Sequence, residues 1–180
     1  MSEQSNDSPA MTLQKLWQPG ALFHNFNRYP RRQGARRVDR LAGILANGIV
    51  SPAMSPDGSV TSDLNILVTG PLIAYDRLVF LHRFGLQSSI YTTCEPGRLT
   101  VFVNPEIAVM TPEEMGANWI VLCQDEVYVR ERIAAEKIIG IIAHPADADS
   151  LLSDLLPDFQ RSGIPLYLDD GTTVWRPRRE

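Results

Sequence analysis

Three side chains suited to site chemistry are spread along this 180-residue chain: His24, Tyr91 and Glu126. Glu126 opens the run Glu126-Val127-Tyr128-Val129-Arg130, in which two valines alternate with Glu126, Tyr128 and Arg130. That period of two predicts a half-buried strand. The Glu126 carboxylate then stands at the mouth of a rigid element, on the side of Tyr128 and Arg130, and is well placed for chemistry. A charge at that position equally discourages an edge strand from pairing with other chains. His24 ends the short apolar run Ala21-Leu22-Phe23, and alone reads as readily as a satisfied, half-buried histidine. Tyr91, in Ser89-Ile90-Tyr91-Thr92-Thr93, alone reads as a core aromatic with a wet hydroxyl. Between Arg28 and Arg40 lie six arginines and one aspartate, a local +5 in a chain whose net charge is −4. Such an island in an acidic protein implies a local anion site for phosphate or nucleic acid, or else a solvated loop and helix start.

The elements that must position these groups follow from local pattern. Residues 12–18 predict one or two helical turns, stopped by Pro19-Gly20. Leu22-Phe23-His24 predicts a first strand, and the arginine-rich segment with Pro30 a loop. A helix is expected from about Arg36 to Asn47, with Val38, Leu41, Ile44 and Leu45 on its apolar stripe and Gly48 as a left-handed C-terminal residue. Residues 51–63 carry loop chemistry throughout and are long enough to suggest a functional or mobile loop. Strands are expected over 64–69, 78–84, 89–93, 98–103 and 138–143. A helical turn is expected over 134–137, and a hairpin around Asp169-Asp170-Gly171. Between them, Asp147 or Asp149 is placed to cap a helix burying Leu151, Leu152, Leu155, Leu156 and Phe159, with Pro157 interrupting its last turn. Strands dominate the middle without alternating with helices, which argues against a doubly wound parallel sheet and predicts a single α+β domain over 12–180 behind a disordered tail, 1–11.

Hydrophobic content of 44% is ample for one core. The longest apolar runs are far shorter than the roughly 20 residues of a membrane span, and the polar N-terminus lacks a secretion signal, so a cytoplasmic protein is expected. Cys94 and Cys123 form no CxxC, and the three histidines are too scattered for a zinc motif. Reduced core thiols and no metal are expected. His82 and Arg83 are neighbours on one strand and so point to opposite sides, which argues for a structural or peripheral pair.

Three segments occur together in order. The first is Leu22-Phe23-His24, followed by the helix Asp39 to Asn47 and its exit Gly48-Ile49; the second is Ser89-Ile90-Tyr91-Thr92. The third is Glu126-Val127-Tyr128-Val129, leading through Arg132-Ile133 to Glu136-Lys137-Ile138-Ile139. This series resembles the ADP-ribosyltransferase superfamily, whose fold carries a histidine, a tyrosine and a glutamate on successive core strands. The opening is similar to DarT-type DNA ADP-ribosyltransferases and to RNA 2′-phosphotransferases. The resemblance covers roughly residues 21–142 and implies a short-stranded split β-sandwich with flanking helices, taking NAD as co-substrate. It assigns His24 to the adenosine-side ribose, Tyr91 to stacking on nicotinamide and Glu126 to the 2′-hydroxyl of the nicotinamide ribose. Gln124 fits a Gln-x-Glu pattern in which the first residue contacts the acceptor. Arg28, Arg31 and Arg32 would hold the pyrophosphate, since guanidinium groups bind phosphate bidentately. The acceptor would be a protein or nucleic acid, approached through Arg28–Arg40 and the 51–63 loop. The alternative is a non-catalytic nucleotide or nucleic-acid binding module on the same fold.

Overall fold

The computed structural model describes residues 8–29, 39–55, 77–85, 95–111, 113–114 and 125–178. The strands expected over 64–69 and 89–93, and both cysteines, lie outside them.

The first helix, α1 (Pro9–Leu16), begins three residues before its predicted start and inside the expected tail. The reason is local: the Ser8 hydroxyl accepts from the Met11 N–H, and Pro9 occupies a first-turn position where no N–H is needed. Strand β1 (Leu22–Asn27) follows, then α2 (Arg40–Asn47) and the short β2 (Ile49–Val50). Helix α2 starts later than expected because Asp39 is extended and its carboxylate takes the Leu41 and Ala42 N–H groups at 3.0 and 3.4 Å. Pro52–Met54 forms one 3-10 turn.

Strands β3 (Leu78–Arg83), β4 (Arg98–Val103), β5 (Glu126–Arg130), β6 (Arg132–Ile133) and β7 (Ile138–Ala143) come next, then α3 (Ala148–Ser162), β8 (Leu166–Leu168) and β9 (Thr173–Trp175). The class is α+β, as expected. Seven strands form one mixed sheet in the order β5-β3-β1-β4-β7-β8-β9, while β2 and β6 pair separately as a two-stranded ribbon. Only β7 and β8 run parallel within the main sheet; α3 makes that crossover. No described helix is long and apolar enough to cross a membrane.

The central strands of the main sheet divide their side chains between two covered faces. On one, Leu22, Val79, Leu81, Val101, Val127 and Ile141 pack against Leu41, Ile44 and Leu45 of α2 and Leu151, Leu155 and Phe159 of α3. The other is smaller: Phe23, Phe102 and Ile142 lie beneath Leu16, with the Trp17 ring edge-on to Phe102 at 4.6 Å and to Phe23 at 5.1 Å. The buried stripe of α3 is the i, i+4, i+8 series Leu151, Leu155, Phe159; Leu152 is half-buried, and Leu156, expected inside, is 38% exposed. The helix also continues through Pro157 to Ser162. Asp147 stands at its cap position but makes no capping bond, because its carboxylate instead accepts from the Gly97 N–H at 2.7 Å.

Candidate active site at the parting of two strands

Strand β1 pairs with β4 along its whole length, from Leu22 opposite Val103 to Asn27 opposite Arg98. Its pairing with β3 covers only Leu22 opposite Arg83 and Phe23 opposite His82. Continued inward, that register would bring Asn25 opposite Phe80, but the two strands part. The Phe80 carbonyl faces the parting, because Tyr128, opposite it on β5, directs its own N–H and C=O away to Met110 at 2.9 and 2.8 Å. His24 fills the gap: its Nδ1–H donates to the Phe80 carbonyl at 2.9 Å. A carbonyl only accepts, so Nδ1 carries the proton. The histidine replaces a missing ladder bond, as a buried carbonyl requires. It is 6% exposed, with its ring parallel to that of Phe26 at 6.1 Å.

Glu126 lies opposite His82, which lies opposite Phe23, so these three share the second face of the sheet. The Phe23 and His82 rings are 5.4 Å apart. The Tyr128 hydroxyl donates to Glu126 Oε2 at 3.0 Å. Tyr128 is itself fixed by the Phe80 ring, edge-on at 5.0 Å, and is fully buried. Burial pushes the Glu126 carboxyl above its ordinary range, and the Tyr128 hydrogen bond offsets part of that rise. Burial likewise holds the His82 imidazole below its usual value; nearby Asp125 opposes this and Arg98 adds to it. Asn25 and Thr100, opposite each other on β1 and β4, share the same face, and the Thr100 hydroxyl donates to Asn25 Oδ1 at 2.7 Å. Two polar pairs thus stand on this otherwise apolar face, Asn25 with Thr100 and His82 with the half-buried Glu126.

The structure therefore brings Glu126 together with Tyr128 and His82, while His24, one residue beyond Phe23, faces the α2 and α3 side with Leu22 and Phe26. β1 and β5 are two strand spacings apart, about 10 Å. Tyr91, Gln124, Arg31 and Arg32 lie outside the described residues. Sequence reasoning passed over His82 because Arg83 must face away from it; that argument removes one member of the pair from a pocket but not both. Asn25 and Thr100 carried no local signal, since only the β1–β4 register makes them neighbours.

Arg28 is held elsewhere. Its Nε and Nη2 donate to Asp39 Oδ2 at 2.9 and 2.7 Å, and Nη2 also to Asp154 Oδ2 at 2.9 Å. Burial works against its charge, but the two carboxylates outweigh it and raise its pKa. Asp39 thus caps α2 with one oxygen and holds Arg28 with the other, tying the end of β1 to both helices. A pyrophosphate taken up by Arg28 would have to displace Asp154. Arg28→Ala is expected to destabilise the protein by about 2–3 kcal/mol, below the full value for a buried pair because Asp154 is half exposed. Arg28→Lys should recover less than half of this, since an ammonium cannot reproduce the fork. Urea denaturation of both variants measures it.

No protein-family model matches this chain, and no curated protein matches it.

Proposed function

We propose that the chain transfers ADP-ribose from NAD to a macromolecular acceptor, protein or nucleic acid, and releases nicotinamide. The observation that carries this reading is Glu126: a half-buried carboxylate at the start of β5, held by the Tyr128 hydroxyl. It lies in the same Glu-Val-Tyr-Val run on which the resemblance to ADP-ribosyltransferases rests. In the reaction the bond from ribose C1′ to the nicotinamide nitrogen breaks, and its electron pair leaves with nicotinamide. The sugar takes on oxocarbenium character, and an acceptor oxygen or nitrogen bonds to C1′ and gives up a proton. An ionised Glu126 accepts a hydrogen bond from the ribose 2′-hydroxyl and stabilises the positive charge, as carboxylates do in glycoside cleavage. Burial strengthens that attraction. The carboxylate and Tyr128 fit the ribose end of NAD. For the pyrophosphate end, Arg31 and Arg32 remain the expected ligands, because Arg28 is engaged with two carboxylates.

A pH dependence follows. Glu126 must be ionised to act, and its pKa is raised, so activity should fall on acidification at a pH above the ordinary glutamate range. Tyr128→Phe removes a donor to the ionised form. It should move this acid limb further up by about one pH unit, so that the rate loss grows toward at most about tenfold on the acid side of the limb and vanishes above it. Turnover of both proteins between pH 4.5 and 8 provides the comparison, and coincident limbs would remove Tyr128 from the site.

The test of the function is to incubate the protein with adenylate-labelled NAD and a nucleic-acid-containing cell lysate, then digest with protease or nuclease. Label that enters a polymer together with nicotinamide release supports the transferase, and the digestion names the acceptor. One observation favours the binding-module reading: His24 faces away from Glu126. NAD binding with no nicotinamide release from folded protein would establish that reading instead.

A further inference from the structure

Residues 173–178 and the neighbouring Gln160 shape a second site. A groove of about 940 Å³ runs between the C-terminal half of α3 and the outer strand β9, lined by Gln160, Thr173, Trp175, Arg176 and Arg178. It is partly open to solvent, and it lies at the far end of the sheet from Glu126: six strand spacings separate β5 from β9, about 29 Å.

We infer that this groove binds single-stranded nucleic acid. Three features support that chemistry. First, Arg176 and Arg178 both line the groove and are both exposed, in a protein whose net charge is negative. Second, Pro177 between them has a fixed φ, lacks an N–H, and pushes Arg176 into an extended conformation. In an extended segment, residues two apart share a side at about 6.6 Å, comparable with successive phosphates of an extended strand. The backbone that carries the two arginines is thereby restricted before binding, and less backbone order is lost when they engage a ligand. Third, the half-buried indole of Trp175 is anchored against Phe159, with ring centres 5.6 Å apart, so the groove holds a rigid aromatic surface beside the two cations. Cationic tracking of the backbone beside an aromatic platform is the combination by which single strands are held without sequence readout. Gln160 and Thr173 add uncharged hydrogen-bonding groups. An acidic peptide would use the arginines but has no need of the indole.

The site goes beyond glycosyl transfer and does not depend on it: binding here is read without NAD. The experiment measures fluorescence anisotropy of a labelled 20-nucleotide mixed-sequence single strand, DNA and RNA separately, across a salt series. Wild type should bind with a strong salt dependence. The double variant Arg176→Ala/Arg178→Ala should bind at least tenfold more weakly, its slope of log K against log salt shallower by about 1.4, the loss expected for two phosphate contacts on a single strand. Gln160→Glu places a negative charge in the groove on a helix surface, without touching the core, and should weaken binding several-fold. Undiminished binding by both variants would overturn the assignment and leave the arginines of the 31–37 segment as the contact. Absence of binding by folded wild type at low salt would also overturn it. Polyglutamate competing as well as unlabelled oligonucleotide would make the groove an acidic-protein site instead.

Discussion

Glu126→Gln is expected to lower nicotinamide release and label transfer by about 100- to 1,000-fold in kcat, the range found when one preorganised electrostatic group is removed from a reaction centre. The amide keeps the shape and still accepts from the Tyr128 hydroxyl, but it carries no charge to set against a developing oxocarbenium. KM for NAD should change little, because the lost interaction belongs to the transition state. Stability should move the other way. A glutamate whose folded pKa is raised contributes stability that is fully present below its unfolded pKa and is lost as pH rises through the folded one. At pH 7 the wild type therefore bears the desolvation of a carboxylate that the amide does not, and Glu126→Gln should melt no lower than wild type and lose its advantage near pH 4. Function gained at the expense of stability is the pattern of a working site; a carboxylate serving only as an edge charge has no reason to be half buried. Thermal melts at pH 4 and pH 7 beside steady-state turnover test both halves. Unchanged turnover in the folded variant would sink the catalytic assignment.

The sequence made legible what is decided within one segment. The alternation that placed Val127 and Val129 on one side of β5 and Glu126 with Tyr128 on the other holds in the structure, because a strand's two faces are fixed by its own covalent geometry. The apolar run of β7, the capped α2 and the β8–β9 hairpin were readable for the same reason. What could not be read is which face of one strand meets which face of the next. His24 and Glu126 are each sensibly placed on their own strands; only the register Phe23–His82–Glu126 sets them on opposite sides of the sheet. A one-residue change in that register would reverse the result. The charge count misled in a similar way. Arg28 and Arg40 contributed to a local +5, yet both are buried, and Arg28 is paired with Asp39 and also with Asp154, 126 residues away in sequence. Nothing local in α3 marks Asp154 as the partner rather than Asp149 or Asp158. The helix periodicity was also too generous: a five-residue apolar face became a stripe of three because the sheet beneath is met along one line, leaving Leu156 outside.

Gly48→Ala is expected to cost about 2–6 kcal/mol, a large share of the 5–15 kcal/mol that hold a domain together, and to lower Tm by roughly 10 °C. Two effects add. Gly48 ends α2 at φ +78°, ψ −164°, which is not the left-handed helical conformation expected of a helix-terminating glycine but a region glycine alone occupies readily, worth about 1–3 kcal/mol. In addition, an added Cβ would fall 2.8 Å from the Ala134 carbonyl carbon and the Ala135 nitrogen and would overlap the Ile133 carbonyl oxygen. All three are backbone atoms, so no side chain can rotate away and the β6 strand itself must shift, at about 1–3 kcal/mol more. Gly163→Ala separates the terms. It too has positive φ, +70° at the end of α3, but its Cβ would meet nothing within 4 Å, so it should cost only about 1 kcal/mol. The distinction reaches the site. β6 is joined to β5 through the single residue Glu131 and pairs with β2 at Ile49 and Val50, immediately after Gly48. Moving β6 therefore displaces the strand that carries Glu126 and Tyr128. Gly48→Ala should lower turnover by about tenfold even well below its melting temperature, whereas Gly163→Ala, remote from that joint, should leave turnover at the wild-type value. Equal losses of stability in the two alanine variants would mean that the close approach of Gly48 to β6 contributes nothing.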